Sequence, residues 1–500
     1  MVQVQPQETP QLISLGEGLA RLAAERPDEP AVSCEHTTRT WRELHERSTR
    51  MARALQQRGV REGDFVTIAL ANDPDFAEAA YAAWKLGAVP QPASSKLPQA
   101  ELGALLELAK PSAVITRIGL SAHQLAISPE EALAACTDAQ PLPDRTAPWL
   151  KAPTSGGSTG RPKLIVTGQQ GVVDPIRAQF WGMPPGAVVL MPAPLYHNGP
   201  FSILVAALSA GLHVVLLPKF DAQTTLREIE RHRASWLYVV PTMMSRILHL
   251  PQDVRERYDL SSLKCIWHTA APCPPAVKRA WIDWFGPEVL WELYGGTESQ
   301  SVTAINGVDW LAHPGSVGRP VFGEVAVFDE TGKRLSPGET GLVYVRGTPG
   351  DPPSYHYVGA EPERLGDWET LGDMGRLDAE GFLYLTDRRT DMILVGGANV
   401  YPAEVEAALE EHPAVLSSAV IGLPDMDLGN RIHAIVHTSA EVLPEALQLH
   451  LVSRLAPYKR PHSIEFVAEA LKDDAGKVRR FLLRQQRLSA QAAPPDAPVR

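Results

Sequence analysis

The ten residues Thr154-Ser155-Gly156-Gly157-Ser158-Thr159-Gly160-Arg161-Pro162-Lys163 gather hydroxyls, glycines and two cations into one short stretch. Glycines let successive backbone N–H groups turn into one concavity, and such concavities hold anions. The hydroxyls add donors and the cations add charge, so the guest this loop suits is a polyphosphate. Apolar Leu164-Ile165-Val166 follows and reads as a strand. The nucleotide P-loop is excluded. It needs a lysine and a hydroxyl residue directly after its second glycine, whereas Gly160 is followed by Arg161-Pro162-Lys163. The proline would also fit poorly in the first turns of that motif's helix.

Four further clusters carry matching chemistry. Tyr294-Gly295-Gly296-Thr297-Glu298 follows an apolar strand, where open α/β sheets bind their ligands. Glu298 offers a hard oxygen ligand of the kind Mg²⁺ prefers, and Tyr294 offers a flat face for a base. Asp373, in Thr370-Leu371-Gly372-Asp373-Met374-Gly375, is a carboxylate between glycines that can accept two ribose hydroxyls. Arg388 stands at a suspected domain boundary, and Gly476-Lys477 opens a basic C-terminal run. Taken singly these are ordinary features: a strand-end turn, a Gly-Asp turn, a surface ion pair and a solvated lysine.

The elements around them alternate. Helical spacing covers Leu15 to Glu25, a stretch from Thr40 to about Gln57, Phe76 to Leu86 and Ala100 to Leu108. Thr40 with Glu43 is a capping-box pattern. Strand-like runs are Phe65 to Leu70, Ala88 to Pro92, Ala113 to Thr116, Ala187 to Met191, His213 to Leu217, Trp236 to Val240, Cys265 to Trp267 and Val289 to Glu292. Strands alternating with helices predict an α/β sheet. Residues 129 to 148 are weakly patterned and read as a surface connection. From Gly315 the texture becomes antiparallel, with Val325 to Phe328, Gly341 to Val345 and Gly381 to Leu385 as hairpin strands. After Asp387-Arg388-Arg389 a fresh set begins, with strand Met392 to Val395, helix Pro402 to Glu411, strands Val415 to Ile421 and Arg431 to His437, and helix Leu443 to Leu455. The Ala- and Pro-rich tail from Ala490 is expected to be disordered.

At 500 residues the chain exceeds what one core supports, so more than one domain is expected. A net charge of -11 argues against a general nucleic-acid binder while leaving room for a local cationic pocket. Cys34, Cys136, Cys265 and Cys273 are scattered without a C-x-x-C. They read as buried thiols in a reducing compartment rather than as a zinc site or disulfide frame. The polar N-terminus is unlike a signal peptide, and no apolar run reaches the ~20 residues of a membrane helix. A cytoplasmic location is expected.

Together and in this order, the motifs closely resemble those of the adenylate-forming (AMP-binding) superfamily, which includes acyl-CoA synthetases, peptide-synthetase adenylation domains and luciferases. The resemblance covers roughly residues 15 to 482. It implies an α/β protein whose large N-terminal domain, residues 1–387, has mixed sheets, flanking helices and a small β-barrel-like part. A small mobile α+β domain, 388–487, follows a hinge near Thr390, and 488–500 form a tail. The resemblance also implies ATP, Mg²⁺ and coenzyme A as cofactors. Thr154, Ser155, Gly156, Gly157, Ser158, Thr159, Gly160 and Lys163 would hold phosphates. Ala270, Ala271 and Pro272, with Tyr294, Gly295 and Thr297, would flank adenine. Asp373 and Arg388 would hold ribose, and Glu298 with Thr154 the metal. Lys477, in Gly476-Lys477-Val478-Arg479-Arg480, matches the catalytic lysine, acting with Thr297, Glu298 and His197. Asp387 replaces the usual glycine, Thr390 the usual Asp or Lys, and Gly157 a usual hydroxyl residue. None of these removes a reacting group.

Within that superfamily, Val395-Gly396-Gly397-Ala398-Asn399-Val400-Tyr401-Pro402 resembles the acyl-CoA synthetase form, with Gly396 and Gly397 beside a pantetheine tunnel. The stretch Pro194 to Phe201 lacks the Asp that binds an α-amine, and His197 resembles an aromatic gate. Val240, Trp267, Gly295 and Gly296, with His197, are the expected acyl pocket, and Gly296 hints at a bulky, apolar acyl group, fatty, aromatic or steroid-like. The reading is an ATP-dependent carboxylic acid–CoA ligase. A stand-alone adenylating enzyme that passes the acyl group to a carrier protein, and a non-catalytic nucleotide-binding relative, stay as alternatives. A homodimer is left open.

Overall fold

The computed structural model describes residues 12–118, 125–155, 163–388, 391–395, 398–425, 428–473 and 476–492. Gly156, Gly157, Ser158, Thr159, Gly160, Thr390, Gly396 and Gly397 lie outside the described residues. Among those described, the largest sheet has nine strands in the spatial order Arg319–Phe322, Val302–Asn306, Leu290–Gly295, Cys265–His268, Trp236–Val239, Val188–Met191, His213–Leu216, Pro30–Cys34 and Thr37–Thr40. Leu290–Gly295 through Pro30–Cys34 run parallel. A parallel sheet must be covered on both faces, and its strands therefore read as continuous apolar runs. Trp236, Leu237, Tyr238 and Val239 are all buried, as that requires. A four-stranded parallel sheet centred on Phe65–Ala69 adds the second α/β layer.

Local signals position the helices between these strands. Thr40 accepts from the Glu43 N–H while the Glu43 carboxylate accepts from the Thr40 N–H, so helix Trp41–Gln57 starts where its capping box does. The same device, Ser128 with Glu131, starts helix Pro129–Ala135. That helix corrects the expectation of an unstructured connection over 129 to 148. A five-stranded antiparallel sheet, built on Gly341–Arg346 and Trp368–Leu377, stands where the sequence predicts a small barrel-like part; its strand order is that of an open sheet.

The C-terminal part has its own core, formed by Ile393, Val405, Leu409, Val420, Ile432, Val436, Leu447 and Leu451. Strands Val415–Asp425, Gly429–Thr438 and Ser463–Val467 form its sheet. Helix Arg480–Ala492 closes it, so the expected tail from residue 488 begins inside a helix. Arg480 pins that helix, donating to Asp391 Oδ2 at 2.8 Å and to buried Glu406 at 2.7 Å.

One joint ties the nine-stranded sheet to the five-stranded one. The Val317 N–H donates to the Leu383 carbonyl at 2.9 Å, and the Leu383 N–H donates to the Gly318 carbonyl at 2.8 Å. Gly318 has φ +95°, and a Cβ there would overlap the Ala304 carbonyl. The substitution Gly318→Ala therefore combines left-handed strain with a backbone clash, and about 2–4 kcal/mol of stability should be lost. Urea unfolding checks this, and a change under about 0.5 kcal/mol, the size of an ordinary surface substitution, would contradict the joint.

Candidate active site

A cleft of about 2600 Å³ opens at the carboxyl ends of the parallel strands, between the large part and the C-terminal part. This is where open α/β sheets bind ligands. The strand Cys265–His268 delivers Thr269, Ala270, Ala271 and Pro272 to its edge. Ala270 has φ +79°, a left-handed value for a residue with a Cβ. Such strain costs about 1–3 kcal/mol and is characteristic of ligand turns. The strand Leu290–Gly295 delivers Tyr294 and Gly295, followed by Gly296, Thr297 and Glu298, all on the cleft.

The strand register explains why residues far apart in sequence meet. Asp373 lies inside strand Trp368–Leu377, not in a turn, and it stands opposite Arg388 in the ladder. The Tyr294 hydroxyl donates to Asp373 Oδ2 at 2.7 Å. Tyr294, Asp373 and the Arg388 backbone thus share one edge of the site. On the phosphate-loop side, Ser155 pairs with Lys163 and Thr154 with Leu164, so the loop residues 156–162 are the connection of a hairpin. Thr154 and Lys163 line the cleft.

Glu298 is buried, and its carboxylate joins three segments. The Tyr357 hydroxyl donates to its Oε1 at 2.6 Å. Lys163 Nζ lies 3.6 Å from the same oxygen and 3.7 Å from the centre of the Tyr357 ring. Burial and the Glu298 charge push the Tyr357 hydroxyl well above its ordinary pKa, so it stays a donor. Sequence reasoning did not single out Tyr357. It sits in Tyr355-His356-Tyr357, where no motif signals that the strand pairs with Lys163–Thr167. Among the described residues, no group of three or more His, Cys, Asp or Glu side chains could hold a metal ion. A cation here would take Glu298 and draw its other ligands from Thr154, a bound phosphate and water. That set suits Mg²⁺, which usually keeps waters and phosphate oxygens beside one or two carboxylates.

Lys477 lies on the same cleft, contributed by the C-terminal part. Its N–H donates to Asp473 Oδ1 at 2.9 Å. The preceding Gly476, φ +77°, packs on the turn opposite. A Cβ there would lie 3.4 Å from Thr242 and 3.6 Å from Ala271. The C-terminal part is therefore closed over the adenine-side turn.

His197 takes the N-cap position of helix Asn198–Ser209, and its ring lies tilted against Tyr196, centroids 4.4 Å apart, on the cleft wall. Val240 also lines the cleft. Trp267 does not. It is buried behind the wall in a cluster with Trp181, Trp291 and Phe180, donating to the Trp181 carbonyl at 3.1 Å. Trp267 shares its sheet face with its register partner Tyr238 and with Thr269, but Trp181 and Phe180 lie between it and the cleft. Tyr238 and Thr269 reach the cleft instead, joined by a hydroxyl hydrogen bond of 2.6 Å. Gly296 also serves a different end from the one expected. A Cβ there would lie 2.5 Å from Glu298 Oε2 and 2.5 Å from Leu371 Cδ1. The missing side chain is space for the carboxylate, not for a substrate tail.

The chain belongs to the AMP-binding enzyme family: the family's main domain matches residues 19–350 and its C-terminal domain matches residues 404–477. The second match ends on Lys477. A long-chain-fatty-acid–CoA ligase of Bacillus subtilis is 30% identical, covering 93% of this chain and 93% of its own. The o-succinylbenzoate coenzyme A synthetase of Bacillus subtilis, solved with ATP and magnesium, superposes with a TM-score of 0.79 at 27% identity, covering 93% of this chain and 98% of its own. An anthranilate CoA ligase bound to anthranoyl-AMP gives 0.82 at 26%, covering 97% and 99%.

The crowding at Gly296 makes a test. Gly296→Ala should push on Glu298 and Leu371, costing about 1–3 kcal/mol of stability by overpacking and weakening AMP binding about tenfold. Thermal unfolding and calorimetric AMP titration check it. Unchanged values for both would show that the glycine is dispensable.

Proposed function

We propose that the protein is an ATP-dependent carboxylic acid–CoA ligase, which forms an acyl-adenylate and then an acyl-CoA thioester. The observation that carries this reading is the docking of the Lys477 turn on Ala271 and Thr242, across the cleft from Glu298. A carboxylate is a poor electrophile because its leaving group would be oxide. Attack of its oxygen on the α-phosphate of ATP expels pyrophosphate and turns the acid into a mixed anhydride. Such transfers depend on positioning and charge neutralisation. Lys477 suits the α-phosphate, where it neutralises charge as the anhydride forms. Tyr294 would stack on adenine while its hydroxyl orients Asp373 for the ribose. Arg388, opposite Asp373, suits the other ribose oxygen. The loop from Thr154 to Lys163 suits the departing β- and γ-phosphates. Mg²⁺, held by Glu298 and Thr154, would supply further charge neutralisation when bound.

The thiol of coenzyme A then attacks the acyl carbon and AMP leaves. Lys477 must withdraw before a thiol can approach. We therefore assign 1–387 and 388–487 as domains that rotate about Thr390, with His197 as gate and Gly396 and Gly397 beside the thiol's path. The relatives that act on fatty and aromatic acids and the apolar Val240 and Phe180 on the wall support a bulky, largely apolar acid. Among the described residues no helix is long and apolar enough to cross a membrane. The free thiols Cys34, Cys136, Cys265 and Cys273 fit a reducing, cytoplasmic location.

Two outcomes test this. A panel of fatty and aromatic acids, read by pyrophosphate release and by thioester formation with CoA, should give both products. Acyl transfer to a carrier protein but not to CoA would favour the stand-alone adenylating enzyme. Lys477→Ala should slow adenylation about 10²–10³-fold, the scale for losing one transition-state electrostatic contact, while thioester formation from supplied acyl-adenylate changes less than about threefold. Equal loss in both half-reactions would refute the role of Lys477.

A further inference from the structure

Lys151 stands three residues before Thr154, and its side chain runs to the start of a helix. Its Nζ donates to the Ser202 hydroxyl and lies 3.4 Å from the Asn198 carbonyl, both on the first turn of helix Asn198–Ser209. The residue is buried, yet it lines the cleft. Among the described residues no carboxylate pairs with it, and the charged group that bears on it is a second cation, Arg177. Burial, with Arg177 second, lowers its pKa to about 7. A cation is also disfavoured at the N-terminal end of a helix. An uncompensated buried cation is among the most costly features a fold can carry.

Arg177 lines the same wall. It donates to the Val172 carbonyl at 2.7 Å, and its Nε is buried without a hydrogen bond, with Asp174 Oδ2 4.0 Å away. Burial lowers its pKa as well. The Thr167 hydroxyl and the Asn198 side-chain oxygen are also buried without partners on this wall. The Thr167 N–H donates to the Lys151 carbonyl at 3.1 Å, so the hydroxyl belongs to the same cluster. A hydroxyl can donate outward, and an amide can turn its NH₂ inward.

We propose that Lys151, Arg177, Thr167, Ser202 and Asn198 form an anion subsite of the acyl cleft, which takes a second carboxylate of the acid being activated. The substrate class is then a dicarboxylic acid with an apolar or aromatic spacer. One carboxylate is adenylated beside Lys477 while the other is held by Lys151 and Arg177. This rests on the reading of the cleft as an acid-activating site.

The test compares acids matched in skeleton: octanoate against suberate, and benzoylpropionate against its ortho-carboxy derivative. Pyrophosphate release should favour one of the diacids over its monoacid by at least about 30-fold in kcat/KM, the size of one to two charge-assisted hydrogen bonds. Lys151→Met, which keeps the buried volume, and Arg177→Met should each collapse that ratio. A monoacid preference that neither variant changes would overturn the subsite and leave the ligase reading intact. If no acid of either kind releases pyrophosphate, the ligase reading fails. Calorimetric titration of the diacids alone then decides the subsite: binding to the wild type that is lost in Lys151→Met supports it, and no binding to the wild type overturns it.

Discussion

The carboxylate of Glu298 is the constraint on which the site depends. A buried carboxylate must be hydrogen-bonded or paired, and its partners here come from separate places in the chain. Tyr357 belongs to a strand paired with Lys163–Thr167, and Lys163 closes the phosphate-loop hairpin. Satisfying one charge therefore ties Lys163, the Tyr294–Glu298 motif and the strand Tyr355–Val358 to each other. Gly296 belongs to the same packing, because a Cβ there would make the Glu298 carboxylate and the Leu371 side chain shift. The cleft is organised around an anion that gathers one cation, Lys163, and one hydroxyl donor, Tyr357.

The C-terminal part completes the site in a different way. It has its own core and its own buried charge cluster, Arg480 with Asp391 and Glu406. The turn that carries Lys477 follows from that cluster and from the left-handed Gly476, and not from the large part. A part with its own core can move as a unit, as the proposed two-step reaction requires.

Much of this was legible before the fold. The Tyr294–Glu298 motif and Lys477 are short stretches that can be read locally, and the structure puts both on the cleft, while helix Leu15–Glu25 and strand Ala113–Thr116 fall where their spacing puts them. What stayed hidden depends on register and burial. Asp373 looks like a turn residue because Gly372 and Gly375 flank it, yet the glycines sit in a strand, and the ladder supplies its neighbour Arg388. Trp267 reads as pocket lining and does share a face with Tyr238, but Trp181 and Phe180, brought over it from another segment, cover it. Lys151 carries no signal in the sequence that sets it apart from other lysines. Only the helix folded over it shows that its charge is buried. Helix Pro129–Ala135 was readable from Ser128 and Glu131, a capping box masked by the prolines around it.

The central claim is that a carboxylate oxygen of the acid attacks the α-phosphate of ATP. The most direct measurement uses an acid labelled with oxygen-18 in its carboxyl group, turned over with ATP and CoA, with the nucleotide product examined by mass spectrometry. The account predicts AMP carrying one labelled oxygen, because the acyl–oxygen bond breaks when the thiol attacks. Label in inorganic phosphate with ADP as the nucleotide product, or unlabelled AMP, would contradict it.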